Sequence, residues 1–104
     1  MSDQMNKDQE TAIEAAVFRR LLEHLDQRKD VQNIDLMGWS GFCRNCLSDW
    51  YKEAAEEAGI DMDKEAARER VYGMPYSDFK AKYQTPASDE QLQRMKDSVA
   101  KNKS

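Results

Sequence analysis

The chain has 104 residues, of which 35% are charged, with a formal net charge of −4, a pI near 5.0 and a mean hydropathy of −0.96. This length predicts a single domain over residues 1–104, and the acidic balance, with basic residues interleaved among acids, argues against a nucleic-acid partner. No stretch is apolar enough for a membrane span and the N-terminus lacks a signal-peptide core, so we expect a cytoplasmic protein without a membrane partner.

The first predicted helix runs from about residue 9 to residue 28, with Asp8 as its cap and residues 1–7 frayed. Its apolar stripe consists of Ile13, Val17, Leu21 and Leu25. His24 and Arg28 fall within this stripe, where burial would require hydrogen-bond partners. A satisfied core histidine is favoured there over a functional one.

A short second helix is predicted within residues 30–37, DVQNIDLM. Its carboxylates Asp30 and Asp35 are candidate oxygen ligands close in sequence to the two cysteines.

The segment WSGFCRNCLSDWY, residues 39–51, holds both cysteines and both tryptophans. Ser40 is the predicted N-cap of a helix that carries Cys43 in its first turn and ends at Gly59. At 100° per residue, one face of this helix consists of Cys43, Leu47, Trp50, Ala54 and Ala58. Cys46 flanks that face one turn from Cys43, so both thiols can point into one space. Trp50 and Leu47 are predicted core residues beneath the cysteines.

Further helical segments are indicated beyond Gly59, and Ser88 and Gln91 begin the last of them as a capping box. Residues 101–104 are predicted to be frayed. The aromatic residues predicted to be exposed are Tyr72, Tyr76, Phe79 and Tyr83. Alternating strand patterns are absent, so the sequence predicts an all-α fold, one compact domain of four to five helices.

A resemblance follows from three segments: DVQNIDLM, GFCRNCLSDWY and VYGMPYSDFKAKYQ. Over roughly residues 10–92 the chain resembles the short bacterial proteins of the domain of unknown function family 1244. The resemblance implies a small, helical, cytosolic bacterial protein. It implies no activity and therefore no catalytic residues.

One candidate site is a metal centre for zinc or iron. Cys43, Cys46 and His24 offer two thiolates and an imidazole, with Asp30 or Asp35 as a fourth ligand. One C-x-x-C pair is only half of the usual zinc signature, so the pattern is weakly specific. Further residues predicted to line this pocket are Arg28, Arg44 and Trp50.

Alternatives use the same residues. Cys43 at a helix start could be a redox thiol paired with Cys46, although the βαβ context of thioredoxin-like motifs is missing. A Cys–His dyad for acyl transfer fits the residue types but lacks an oxyanion-hole loop. In the third alternative, Cys43 is a small buried apolar residue.

Large apolar residues are scarce, with 11 alanines and six leucines in the chain. Narrow apolar faces bury little area within one chain, so we expect a homo-oligomer. The sequence therefore favours a homo-oligomeric binding module over an enzyme.

Overall fold

The computed structural model describes residues 5–102. This part of the chain contains six α-helices and no strand. This confirms the all-α class, although the helices number six instead of four or five. They are α1 (Lys7–Gln27), α2 (Asn33–Ser40), α3 (Arg44–Glu57), α4 (Lys64–Tyr72), α5 (Tyr76–Tyr83) and α6 (Asp89–Val99). No helix within the described residues has both the length and the apolar character needed to cross a bilayer.

Two helices begin with a capping box. At α1, Asn6 Oδ1 accepts from the Gln9 N–H at 2.8 Å, and Gln9 Oε1 accepts from the Asn6 N–H at 3.0 Å. At α6, Ser88 Oγ accepts from the Gln91 N–H at 3.2 Å, and Gln91 Oε1 accepts from the Ser88 N–H at 2.8 Å. The second box is the predicted one, and each satisfies two backbone donors that a helix start otherwise leaves unpaired.

Asn6 and Asn102, which lie in the two segments predicted to be frayed, each make side-chain hydrogen bonds. Asn6, not Asp8, caps α1, and the helix already includes Lys7. At the other end, Asn102 Nδ2 donates to the Gly41 carbonyl at 2.9 Å. The predicted fraying of residues 1–4 and 103–104 lies outside the described residues.

Helix α3 ends where predicted. Gly59 has φ 81°, and its N–H donates to the Glu56 carbonyl while the Ile60 N–H donates to the Ala55 carbonyl. This pair of bonds is a Schellman motif, which requires a left-handed residue and so favours glycine.

The start of α3 differs from the prediction. Gly41 has φ 80° and ends α2 through an N–H bond to the Met37 carbonyl. Ser40 therefore lies in the last turn of α2, where its hydroxyl donates to the Leu36 carbonyl. Cys43, instead of Ser40, is the N-cap of α3.

The core lies where α1, α3, α4 and α5 meet, while α6 packs chiefly against α2. Its members are Leu22, Leu25, Leu47, Val71, Tyr72 and Phe79. Tyr72 and Phe79 were predicted to be exposed, and this is wrong because their rings pack edge to face, 4.6 Å between centroids.

The buried face of α1 is rotated from the predicted stripe. Leu22 and Leu25 are buried, whereas Ile13 and Val17 are 51% and 65% exposed. The stripe prediction is right at Leu25 and at Leu21, which packs half-buried against the core. It is wrong at Ile13 and Val17, because among residues 5–102 no helix covers that part of α1.

The molecule is elongated. Its radius of gyration is 16.0 Å and its extents are 50 × 29 × 27 Å, against about 13 Å expected for a compact domain of this length. Helix α1, with 21 residues, is about 31 Å long, and its exposed N-terminal half accounts for the projection.

Candidate functional site

The site is built around the start of α3, where Cys43 and Arg44 are both buried. Cys43 caps the helix with extended backbone angles, and Cys46 lies half-buried one turn further along. Cys46 Sγ is 3.9 Å from Met37 Sδ on α2. The two thiols thus lie on the side of α3 that faces other helices, not solvent.

Arg44 is the centre of this region and is only 2% exposed. Its guanidinium donates to backbone carbonyls of Val31 at 2.8 Å, Arg28 at 2.9 Å and Leu25 at 3.4 Å. These carbonyls belong to the end of α1 and the loop after it, where a helix leaves its acceptors unpaired. A cation there also complements the negative end of the helix dipole. Arg44 therefore fastens the C-terminus of α1 to the N-terminus of α3.

A polar network continues from this guanidinium through three side chains. Arg44 Nη1 donates to Asn33 Oδ1 at 3.0 Å, and Asn33 Nδ2 donates to the Tyr72 hydroxyl at 2.9 Å. The Tyr72 hydroxyl in turn donates to Asn45 Oδ1 at 2.7 Å. The network joins α2, α3 and α4, so each buried polar group in it finds a partner.

The burial of these groups sets their protonation. Burial raises the pKa of the Cys43 thiol and of the Tyr72 phenol, and it lowers the pKa of the Arg44 guanidinium. Each shift favours the neutral form, as desolvation does. Near neutral pH, Cys43 is accordingly a thiol and not a thiolate, which is the state of a structural cysteine.

The structure keeps Cys43 and Cys46 close to each other but does not bring a third predicted metal ligand to them. Among residues 5–102, no three His, Cys, Asp or Glu side chains lie close enough to one another to hold a metal ion. His24 is exposed on the side of α1 that carries Ile13 and Val17, because the buried side is the one that bears Leu22 and Leu25.

The two candidate fourth ligands are engaged elsewhere. Asp30 forms an exposed ion pair with Arg28 at 3.0 Å. Asp35 accepts two bonds from Gln91 Nε2 and lies 3.9 Å from Arg94. Asp30 therefore pairs with a neighbour in sequence, and Asp35 contributes to the contact between α2 and α6.

Of the other residues predicted to line the pocket, one is buried in the site and two have exposed side chains. Arg44 lies in the network, but Arg28 contributes only its backbone carbonyl, because its side chain is exposed. Trp50 is 52% exposed and stacks on Phe42 at 6.0 Å. The prediction that Trp50 is a core residue is wrong, whereas Leu47 is buried as predicted.

Sequence reasoning missed Asn33, Asn45 and Tyr72 as site residues. Of these three, Tyr72 is predicted only as an exposed ring. One signal was available: Tyr72 lies between the apolar residue Val71 and Gly73, which ends α4. An amphipathic ring in that position tends to be buried with its hydroxyl paired.

Together, fold and site define a small all-α protein whose polar centre is a buried arginine network. The family model described as Protein of unknown function (DUF1244) matches residues 31–97. The chain therefore belongs to this family, and the resemblance inferred from its segments is confirmed. The matched range includes the side chains of the network but not α1. A comparison with curated proteins finds no match.

Proposed function

We propose that this protein is a homo-oligomeric binding module and that α1 pairs with α1 of a second copy. The observation that carries the proposal is the free face in the N-terminal half of α1. Ile13 and Val17 lie one turn apart there and are 51% and 65% exposed. At 100° per residue, Ile13 lies on the opposite side of α1 from the buried Leu22, so one α1 can pack on its own core and on a partner at once.

The charges of α1 favour an antiparallel pair. Acidic Glu10 precedes Ile13, acidic Glu14 lies between Ile13 and Val17, and basic Arg19 and Arg20 follow Val17. An antiparallel pair centred between residues 13 and 17 places Ile13 beside Val17 of the second copy. It also places Glu10 beside Arg20 of the second copy, on both sides of the two-fold axis. A parallel pair would instead place like charges and like helix ends together.

The size of this face predicts a weak dimer. The free half of α1 spans roughly 20 Å, whereas a stable interface buries about 1,200–2,000 Å² in total. The helix pair alone lies at the low end of that range, so the oligomer should dissociate on dilution.

Sedimentation velocity over micromolar to submillimolar concentrations tests the proposal. We expect a 12.1 kDa species in reversible exchange with a dimer. Val17→Glu should abolish the dimer, because it brings carboxylates together near the two-fold axis. Glu10→Arg should weaken it, and the double variant Glu10→Arg with Arg20→Glu should restore it.

Glu53→Arg, an equivalent charge change at an exposed site on α3, is the matched control and should leave the dimer unchanged. A monomer at every concentration would refute self-association. A dimer that persists in Val17→Glu would place the interface on another face.

A thiol-redox role for Cys43 and Cys46 stays a prediction. The position of Cys43 at the start of α3 favours it, since helix N-termini stabilise thiolates. The raised pKa of the buried Cys43 thiol opposes it. A zinc or iron site is not proposed, because the described residues form no group of three ligands.

A further inference from the structure

A cavity of about 320 Å³ opens between α2, the start of α3 and the connection from α5 to α6. Its apolar walls come from Ile34, Met37, Pro86 and Met95, and Asn45 is one of its polar lining residues. Six of the eleven lining residues are polar, although by exposed area the wall is more apolar than polar. Cavities that bind small molecules combine apolar walls with polar groups that fix orientation. The volume lies at the lower end of the range for such sites, which suits a molecule of fragment size.

The direction of the hydrogen bonds fixes which atom of Asn45 remains available. A guanidinium only donates, so the Asn33 atom facing Arg44 is its oxygen. The Asn33 nitrogen then donates to the Tyr72 hydroxyl, which leaves that hydroxyl to donate to the Asn45 oxygen. The orientation of the Asn45 amide is thereby set by Arg44, through three successive hydrogen bonds.

The Asn45 amide nitrogen is the last group in this series of hydrogen bonds. Among residues 5–102 it has no hydrogen-bond partner, although Asn45 lines the cavity. The series of hydrogen bonds starts at the buried guanidinium of Arg44, which has no carboxylate within 4.0 Å in the described part of the protein. Successive bonds polarise one another, so the positive charge of Arg44 strengthens the donor at Asn45.

We propose that this cavity binds a small molecule with an apolar body and a carbonyl-type oxygen, which accepts from the Asn45 amide. A donor on the wall of a cavity selects for an acceptor, because a ligand that covers the donor without pairing it would leave a polar group unsatisfied. Amides and carboxylates both have the required acceptor oxygen. An alkylammonium cation has no acceptor and therefore cannot pair with Asn45. The site is independent of self-association through α1.

The test uses hexanamide, hexanoate and hexylammonium, which share a six-carbon chain and differ in the polar end. Each is titrated into ¹⁵N-labelled protein, and the Asn45 side-chain amide pair is followed by NMR. Hexanamide, hexanoate or both should shift this pair saturably, and hexylammonium should not. The stronger of the two acceptors identifies a neutral or an anionic natural ligand.

Two variants locate the binding. Asn45→Asp keeps an acceptor for Tyr72 but removes the donor, and it should weaken binding about tenfold, as judged from the backbone amides lining the cavity. Ala87→Trp fills the cavity from the α5–α6 connection and should abolish binding. Ala81→Trp, at an exposed site on α5 outside the lining, is its matched control and should bind as wild type does.

The proposal is overturned if the Asn45 pair does not move with either acceptor probe. It is equally overturned if hexylammonium moves the pair as far, or if Ala87→Trp binds as tightly as wild type. The Ala87→Trp comparison leaves the Arg44 network intact, so it decides the matter even if Asn45→Asp fails to fold. The same titrations with Val17→Glu should give the same result, so a failure here and a failure of self-association are distinguishable.

Discussion

A single side chain, Arg44, holds the polar centre of this protein, and no carboxylate of residues 5–102 lies within 4.0 Å of its guanidinium. Its bonds go to three backbone carbonyls and one amide oxygen. A buried cation is tolerated when its donors are satisfied, and carbonyls at a helix C-terminus supply both acceptors and a favourable dipole. The Phe79 ring, 5.2 Å from the guanidinium carbon, adds a cation–π contact.

Replacing this side chain should therefore be costly. Arg44→Met keeps much of the apolar volume but leaves carbonyls at the end of α1 without donors, at about 1–3 kcal/mol for each buried unsatisfied group. We expect a loss of roughly 3 kcal/mol or more in the free energy of unfolding, measured in urea at neutral pH. Arg28→Met is the control, since that side chain is exposed, and its midpoint should stay near wild type. Equal midpoints for the two variants would show that the Arg44 bonds contribute little.

The stability should also fall at alkaline pH. Burial raises the folded-state pKa of Cys43 above 9.0 and that of Tyr72 above 10.0. Above these ordinary values the unfolded chain loses protons that the folded chain keeps, so unfolding is increasingly favoured as pH rises. Their contribution is fully present below about pH 9 and is lost as pH rises through the folded-state values.

Urea unfolding at several pH values measures this effect. Cys43→Ala and Tyr72→Phe remove one titrating group each, so their stability should decline less steeply than wild type above about pH 9. Lysine titration affects all three proteins alike and cancels in the comparison. Parallel pH curves would show that neither group is perturbed by folding.

At the scale of the helix, apolar spacing predicted where elements lie better than which side they bury. The end of α3 at Gly59 and the start of α6 at Ser88 follow from local turn and capping chemistry, which the sequence displays. The buried side of α3 does not follow, because it includes Arg44 and Ser48, which are 2% and 1% exposed. Polar residues on a buried face look like a solvated face in the sequence.

The candidate site was harder to predict for the same reason. The acceptors of Arg44 are mostly backbone oxygens, and a backbone oxygen carries no residue-specific signal. The sequence did mark the segment around Cys43 and Arg44 as unusual. It could not show that Arg44, and not the cysteines or His24, would be the centre.

The end of α3 offers a test of local strain. In Gly59→Ala the new Cβ meets nothing within 4 Å, so any loss of stability comes from the left-handed backbone, at about 1 kcal/mol. Gly59→Asn is the matched variant and should lose less, since asparagine tolerates this conformation. Thermal unfolding compares them. An alanine variant as stable as wild type would mean that the helix end rearranges instead.

At the scale of the whole molecule, the chain combines a small core with a projecting helix. Six residues from four helices form the buried apolar cluster, and residues 5–14 are all exposed. The length of α1 beyond the core explains the 50 Å extent. The family match begins after α1, so the helix that we propose for self-association lies outside the matched range.

Because the start of α1 is exposed, its two halves should open at different rates. Opening of residues 7–14 breaks only their own backbone bonds and the Asn6 capping box, because these residues bury nothing. A free helical segment of this length is marginal in water, so its amide protons exchange with solvent through local opening. The amides around Leu22 and Leu25 exchange only when the core itself opens. One continuous helix therefore contains both weakly protected and strongly protected amides.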